Sequence, residues 1–117
     1  MNQPNENNSF IAFPIYQGYI YCHIEEVIYC EADGNYTTIF LKDRAEILIS
    51  KAIGQVEQLL ESSQMVRIHQ SFIVNIAHIQ GLIKEDGLRI VLRQGVVLPV
   101  SPNKKNNLMD KFKTFSK

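Results

Sequence analysis

Much that would assign a function at sight is missing from this chain. Its 117 residues contain two cysteines, Cys22 and Cys30. One pair is too few for a secreted disulfide framework, and Cys22-His23 followed by Cys30 lacks a fourth ligand at zinc spacing. Both are therefore read as small core or strand residues. His23, His69 and His78 do not fall at metal-ligand spacing, and there is no Gly-rich phosphate loop. No apolar run approaches the roughly 18 residues of a membrane span, and the N-terminus has no basic segment followed by an apolar one. The expectation is a cytoplasmic protein with no membrane insertion, no metal and no cofactor.

Catalytic pairings are missing as well. Acid/base hydrolysis needs paired carboxylates or a nucleophile beside a base. The acidic residues here are mostly single, in turns or on outward strand faces, and the one adjacent pair, Glu25-Glu26, falls in an expected surface turn. Ser71 is near His69 in sequence, but a triad needs a third orienting group and a geometry that nearness in sequence does not supply. The chain is not expected to be an enzyme.

What is present is the composition of an ordinary soluble domain, 45% hydrophobic and 21% charged. The length fits one domain with a core that needs no staples. Net charge is zero, but residues 1–50 hold two cations and seven anions while residues 51–117 hold ten cations and five anions. The stretch 101–117 carries five lysines against Asp110. A basic second half fits an electrostatic footprint for phosphate, although charge alone is explained at least as well by a solvated face.

Along the chain, the polar segment M-N-Q-P-N-E-N-N-S opens an expected flexible tail or linker end over residues 1–12, with the domain over 13–117. Short strands are predicted at Phe10–Tyr16 (an edge, because of Pro14), Tyr19–Cys22, Val27–Asp33, Tyr36–Leu41 and Ala45–Ile49. His23–Glu26 and Asp33-Gly34-Asn35 read as turns. The period then changes: Ile53, Val56 and Leu60 fall at helical spacing, with Ser50 as cap and the helix running through Glu61. Strands resume at Ile79–Glu85 and Leu88–Arg93 around the hairpin dipeptide Asp86-Gly87, followed by Val96–Val100. Ser101-Pro102 starts a final helix. The predicted fold class is mainly β: seven or eight short strands in antiparallel sheets, one mid-chain helix and one C-terminal helix, with a short helical turn inside Ser71–Ile76.

One stretch resists this assignment. R-I-H-Q-S-F-I-V-N-I, residues 67–76, interleaves apolar residues with a cation, an imidazole, two amides and a hydroxyl, a mixture that belongs to a site more than to a scaffold. Together with Asp33–Thr37 and Ser101–Lys105 it gives three loop-like places with groups suited to nucleic acid. Asn and Gln amides pair with adenine in the major groove, Arg and Lys neutralise phosphates, and hydroxyls and N–H groups at helix starts take anions. Each place also has a plain explanation: Asn35 as a turn residue, His69 as a satisfied structural histidine, Ser101 as a cap.

Three motifs in order, I-Y-C-E-A-D-G-N-Y-T-T-I at 28–39, R-I-H-Q-S-F-I-V-N at 67–75 and L-P-V-S-P-N-K-K at 98–105, resemble the LytTR family of bacterial DNA-binding domains. The resemblance covers about residues 15 to 113. It implies an elongated arrangement of small antiparallel sheets with short helices, and loops rather than a recognition helix placed in successive major grooves of double-stranded DNA. It also implies the output end of a response regulator in a two-component system controlling transcription, with a receiver or sensor protein as partner and a weak or DNA-dependent dimer. Carried over by position, the base-reading residues are Asn35, Gln70 and Asn103. The backbone contacts are Arg67, His69, Ser71, Ser101, Lys104 and Lys105, and Tyr36 and Asn75 are supporting. Pro102 departs from the family pattern, since many members carry Arg, the usual guanine reader, directly after the Val-Ser pair. Either Asn103 or Lys104 substitutes there, or that groove is held through phosphates alone. The rival expectation is a small β-domain interaction module without nucleic-acid binding, using Tyr16, Tyr19 and Tyr21; those tyrosines read first as strand core or dimer contact.

Overall fold

The computed structural model describes residues 10–115. The described residues form ten strands: β1 (Phe10–Ile15), β2 (Gly18–His23), β3 (Val27–Asp33), β4 (Tyr36–Leu41), β5 (Ile47–Ile49), β6 (Met65–His69), β7 (Phe72–Asn75), β8 (Ile79–Lys84), β9 (Leu88–Leu92) and β10 (Val97–Val100). Helix α1 (Ile53–Leu59) lies between β5 and β6, and α2 (Lys105–Phe115) ends the described chain. Single 3-10 turns occupy Ile24–Glu26, Ile76–His78 and Pro102–Lys104. All pairing is antiparallel: β1 with β2, β8 and β10 on either side of β9, and a central sheet in the order β5-β4-β3-β7-β6.

The central sheet is buried on both faces, which explains its near-continuous apolar runs. Side chains alternate across a strand, and the alternation sorts residues into two cores. Val27, Cys30, Ile39, Met65 and Ile73 pack with α1 and the β1–β2 hairpin. Ile28, Val66, Ile68 and Val74 face the other way, against β8–β10 and Leu108 of α2. Cys22 and Cys30 are free and buried in strands, and burial pushes the Cys30 thiol well above its ordinary range.

Several boundaries differ from expectation. β1 begins at Phe10, so residues 10–12 belong to a strand paired with β2 and not to the tail; residues 1–9 lie outside the described residues. The N-cap of α1 is Ala52, not Ser50, and the Ala52 N–H donates to Gln55 Oε1 at 3.2 Å. The helix stops at Leu59 rather than Glu61. The helical turn expected inside Ser71–Ile76 sits at Ile76–His78. Most importantly, β6 and β7 form a hairpin through the stretch read as irregular. Tyr16, Tyr19 and Tyr21 are 91%, 63% and 64% exposed, so they are not core residues.

Asn75 joins the sheet to its surroundings. Its side chain is fully buried. Its Nδ2 donates to the carbonyls of Ile24 (3.1 Å) and Val27 (2.9 Å), and its Oδ1 accepts from Ala77 N–H (2.9 Å) and Gln64 Nε2 (2.9 Å). One amide thus satisfies the turn before β3, the turn after β7 and the approach to β6.

Two stability outcomes follow from these placements. Asn75→Ala removes four hydrogen bonds from a fully buried side chain, each worth about 0.5–1.5 kcal/mol, so urea unfolding is expected to lose at least ~2 kcal/mol; a loss below ~1 kcal/mol would contradict this role. Gly54 sits in α1, where an added Cβ would meet nothing within 4 Å. Gly54→Ala is expected to stabilise by about 0.5–1 kcal/mol at unchanged m-value; destabilisation would mean that the position is packed.

Candidate nucleic-acid interface

Topology brings the three polar loops to one end of the central sheet. β3 and β7 run antiparallel with Glu31 opposite Phe72, so the β3–β4 turn (Gly34-Asn35) and the β6–β7 turn (Gln70-Ser71) open side by side. Gly34 has a φ of 62°, a left-handed conformation that glycine takes without steric cost, and this keeps the first turn tight. The third loop joins through β6: the Ser101 N–H donates to the Ile68 carbonyl at 2.8 Å. A recess there is lined by His69, Asp86, Leu88, Ser101, Pro102 and Lys105.

The β6–β7 turn is fixed by donors from three residues, Ser101, Arg67 and Ala32. Four consecutive carbonyls are engaged. Ile68 accepts from Ser101 N–H, His69 from Arg67 Nε at 2.8 Å, Gln70 from Arg67 Nη2 at 2.6 Å, and Ser71 from Ala32 N–H at 2.9 Å. The Ser71 N–H donates to His69 Nδ1 at 3.0 Å. With Nδ1 accepting, the neutral ring carries its proton on Nε2. The ring is half-buried and lies 5.6 Å from that of Phe72. Ile68 shares the core of Val66 while Arg67 stays on the α1 face, and a bulge between Arg67 and His69 brings His69 opposite Phe72.

Of the residues singled out from sequence, Asn35, Gln70, Asn103 and Lys105 are exposed, and His69, Ser71, Ser101 and Lys104 are half-buried. Ser101 holds the N-cap position of the Pro102–Lys104 turn, but its hydroxyl does not close the cap. Arg67 differs from expectation. Its side chain is only 15% exposed, its Nη1 donates to Glu57 Oε1 at 2.7 Å, and its other two nitrogens hold the turn carbonyls. The guanidinium points into the protein rather than toward a phosphate. Glu57 escaped sequence reading, because nothing in the spacing of a helical glutamate and an arginine ten residues on marks them as partners.

Charge at this end is mixed. Lys104 and Lys105 flank the third loop, while Asp33 and Asp86 are exposed beside the first and third. Lys111 is engaged elsewhere: its ammonium donates to the carbonyls of Glu61 and Ser63 at 3.2 and 2.9 Å, and burial lowers its pKa. Among the described residues no cluster of His, Cys, Asp or Glu has the makings of a metal site, and no helix is long and apolar enough to cross a membrane.

Comparison with known proteins agrees with this geometry. The model of the LytTr DNA-binding domain matches residues 17–113. The fold superposes on the LytTr DNA-binding domain of a Bacillus cereus response regulator with a TM-score of 0.72 at 23% identity, covering 89% of this chain and 96% of that one. The CO-responsive transcriptional regulator RcoM of Rhodospirillum rubrum is 34% identical over 70 residues, 59% of this chain and 29% of that protein. The heme-containing CO-sensing transcriptional regulator RcoM 2 of Paraburkholderia xenovorans is 33% identical over 63 residues, 54% of this chain and 23% of that protein. Each match therefore spans under a third of the regulator's length.

Proposed function

The chain belongs to the LytTR family of DNA-binding domains, a binding module and not a catalyst, and on that premise we propose that it reads double-stranded DNA by sequence in the regulation of transcription. The observation that supports this most is the alignment of three exposed amides, Asn35, Gln70 and Asn103, on loops gathered at one end of one sheet. Neighbouring strands are about 4.8 Å apart. The row from the β3–β4 turn across the β6–β7 turn to the third loop is therefore roughly 15–20 Å long at the backbone. A major groove is about 12 Å wide and successive grooves on one face lie about 34 Å apart, so a row of this length fills one groove and meets the backbone on either side of it.

The roles divide by chemistry. An amide offers a donor and an acceptor together and pairs bidentately with a base edge, adenine above all. Asn35, Gln70 and Asn103 are the base readers. Lys104 and Lys105, the Ser71 and Ser101 hydroxyls, and His69 through its Nε2–H are the backbone contacts, which set position and carry the salt dependence. Pro102 leaves the third loop without a guanidinium, so readout there falls to Asn103. A receiver or sensor protein is the proposed source of the signal; the two longer relatives are a CO-responsive and a CO-sensing regulator.

Gln70→Ala is the decisive variant. It is expected to cost about 1–3 kcal/mol of discrimination at one base pair while leaving affinity for random duplex and its salt slope unchanged. Equal weakening on specific and random DNA would remove Gln70 from the base readers. Binding that responds little to salt would favour a protein-interaction surface such as the exposed tyrosines of the β1–β2 hairpin.

A further inference from the structure

We propose that Arg67 and Glu57 are positioning residues for Gln70, a clamp that sets the specificity of the central loop without touching DNA. This rests on the assignment of Gln70 as a base reader. A two-residue turn at a sheet end is ordinarily held by its own hairpin bonds and by water. Here the guanidinium reaches under the turn and takes two successive carbonyls, of His69 and Gln70, at 2.8 and 2.6 Å. The bond to the His69 carbonyl is half-buried, that to the Gln70 carbonyl lies at the surface, and the Gln70 side chain is left exposed.

The guanidinium is held in turn. Its third nitrogen meets Glu57 on α1 at 2.7 Å, a half-buried contact in which the Arg67 side chain is 15% exposed and that of Glu57 41%. Arg67 reaches α1 because it shares the strand face of Met65, the face that packs on that helix. Glu57 fixes where the fork sits, and the fork fixes two carbonyls whose separation matches a planar guanidinium. A lysine ammonium is a single compact charge and does not span that pair in the same geometry. The linkage runs from α1 through Glu57 and Arg67 to the backbone of Gln70. A reading group must be held to within about 0.5 Å by supporting groups to discriminate.

The clamp differs from a phosphate contact in what it changes. A phosphate contact acts on all sequences alike and contributes about 0.9 to the slope of log affinity against log salt. A positioning residue acts on one base pair and leaves the slope alone. The test uses the full chain and three variants, Arg67→Lys, Glu57→Gln and Gln70→Ala, with Glu57→Gln also combined with Gln70→Ala. Affinities are measured from low to moderate salt for duplexes selected by the unaltered protein, for the same duplexes changed at each base pair, and for random duplexes. Exchange of the Ser71 amide is followed by NMR in parallel.

Arg67→Lys and Glu57→Gln are expected to lower discrimination at the Gln70 base pair roughly tenfold, with random binding and salt slope unchanged. Glu57→Gln adds nothing to that loss when Gln70 is already alanine, and the Ser71 amide exchanges faster in both single variants. The clamp is overturned if Arg67→Lys weakens every duplex alike and flattens the slope, since Arg67 then meets phosphate. It is also overturned if both variants discriminate as the unaltered protein does. Should Arg67→Lys fail to fold, Glu57→Gln carries the test, because its side chain is 41% exposed and keeps its shape. If the unaltered protein selects no sequence, DNA readout itself fails and Ser71 exchange alone decides the clamp: faster in Glu57→Gln supports it, unchanged refutes it.

Discussion

Four consecutive backbone carbonyls at the tip of one hairpin, from Ile68 to Ser71, are each taken by a different donor group or by a different arm of Arg67. Most of the site depends on that constraint. The Ala32 N–H that serves Ser71 comes from the strand leading into the Asn35 turn. The Ser101 N–H that serves Ile68 comes from the start of the third loop. The hairpin tip is thus both the middle loop and the point from which its neighbours are registered. An unpaired carbonyl away from water costs on the order of 1–3 kcal/mol, so slippage of any one loop leaves an acceptor unmet at this hub.

The fold is arranged to make such a hub affordable. A sheet buried on both faces exposes little but its ends, and its ends are where turns lie. Asn75 performs at the far end of β7 what Arg67 performs at the near end: one side chain with several hydrogen bonds closes turns from distant parts of the chain. The consequence for function is rigidity at the backbone and freedom at the side chain. A backbone so held loses little conformational freedom on binding, which leaves only side-chain ordering as a cost in the proposed readout. Charge is the weaker resource here. Lys111 is tied to carbonyls and two carboxylates stand beside the loops, so the proposed reading assigns the phosphate contribution to Lys104, Lys105 and neutral donors.

Much of this was legible from the residues. The Asp33-Gly34-Asn35 turn with its β-branched and aromatic flank marks β3 and β4, alternation marks β9, Asp86-Gly87 marks the β8–β9 turn, and the three polar stretches stand out by composition. The β6–β7 hairpin was not recognised as strands, for a physical reason. Its core residues face two different cores, so the run Phe72-Ile73-Val74 shows no period of two, and the bulge at Ile68 breaks the period on the other strand. The same mixture that disguised the strands is what marked the stretch as a site. Arg67 was read by residue type, as a cation for phosphate. Its inward turn depends on Glu57 and on carbonyl directions, and neither is written in composition or spacing. The start of α1 was misplaced because Ser50 is a good cap by type, while the chain caps at Ala52 through Gln55.

The most direct test of the central claim is selection from a pool of random duplexes, carried out at low salt and again at about 150 mM. Sequence readout by three held amides predicts one motif recovered at both salts, with affinity falling as salt rises. A steep salt dependence with no motif at either concentration, or no binding at all, would contradict it.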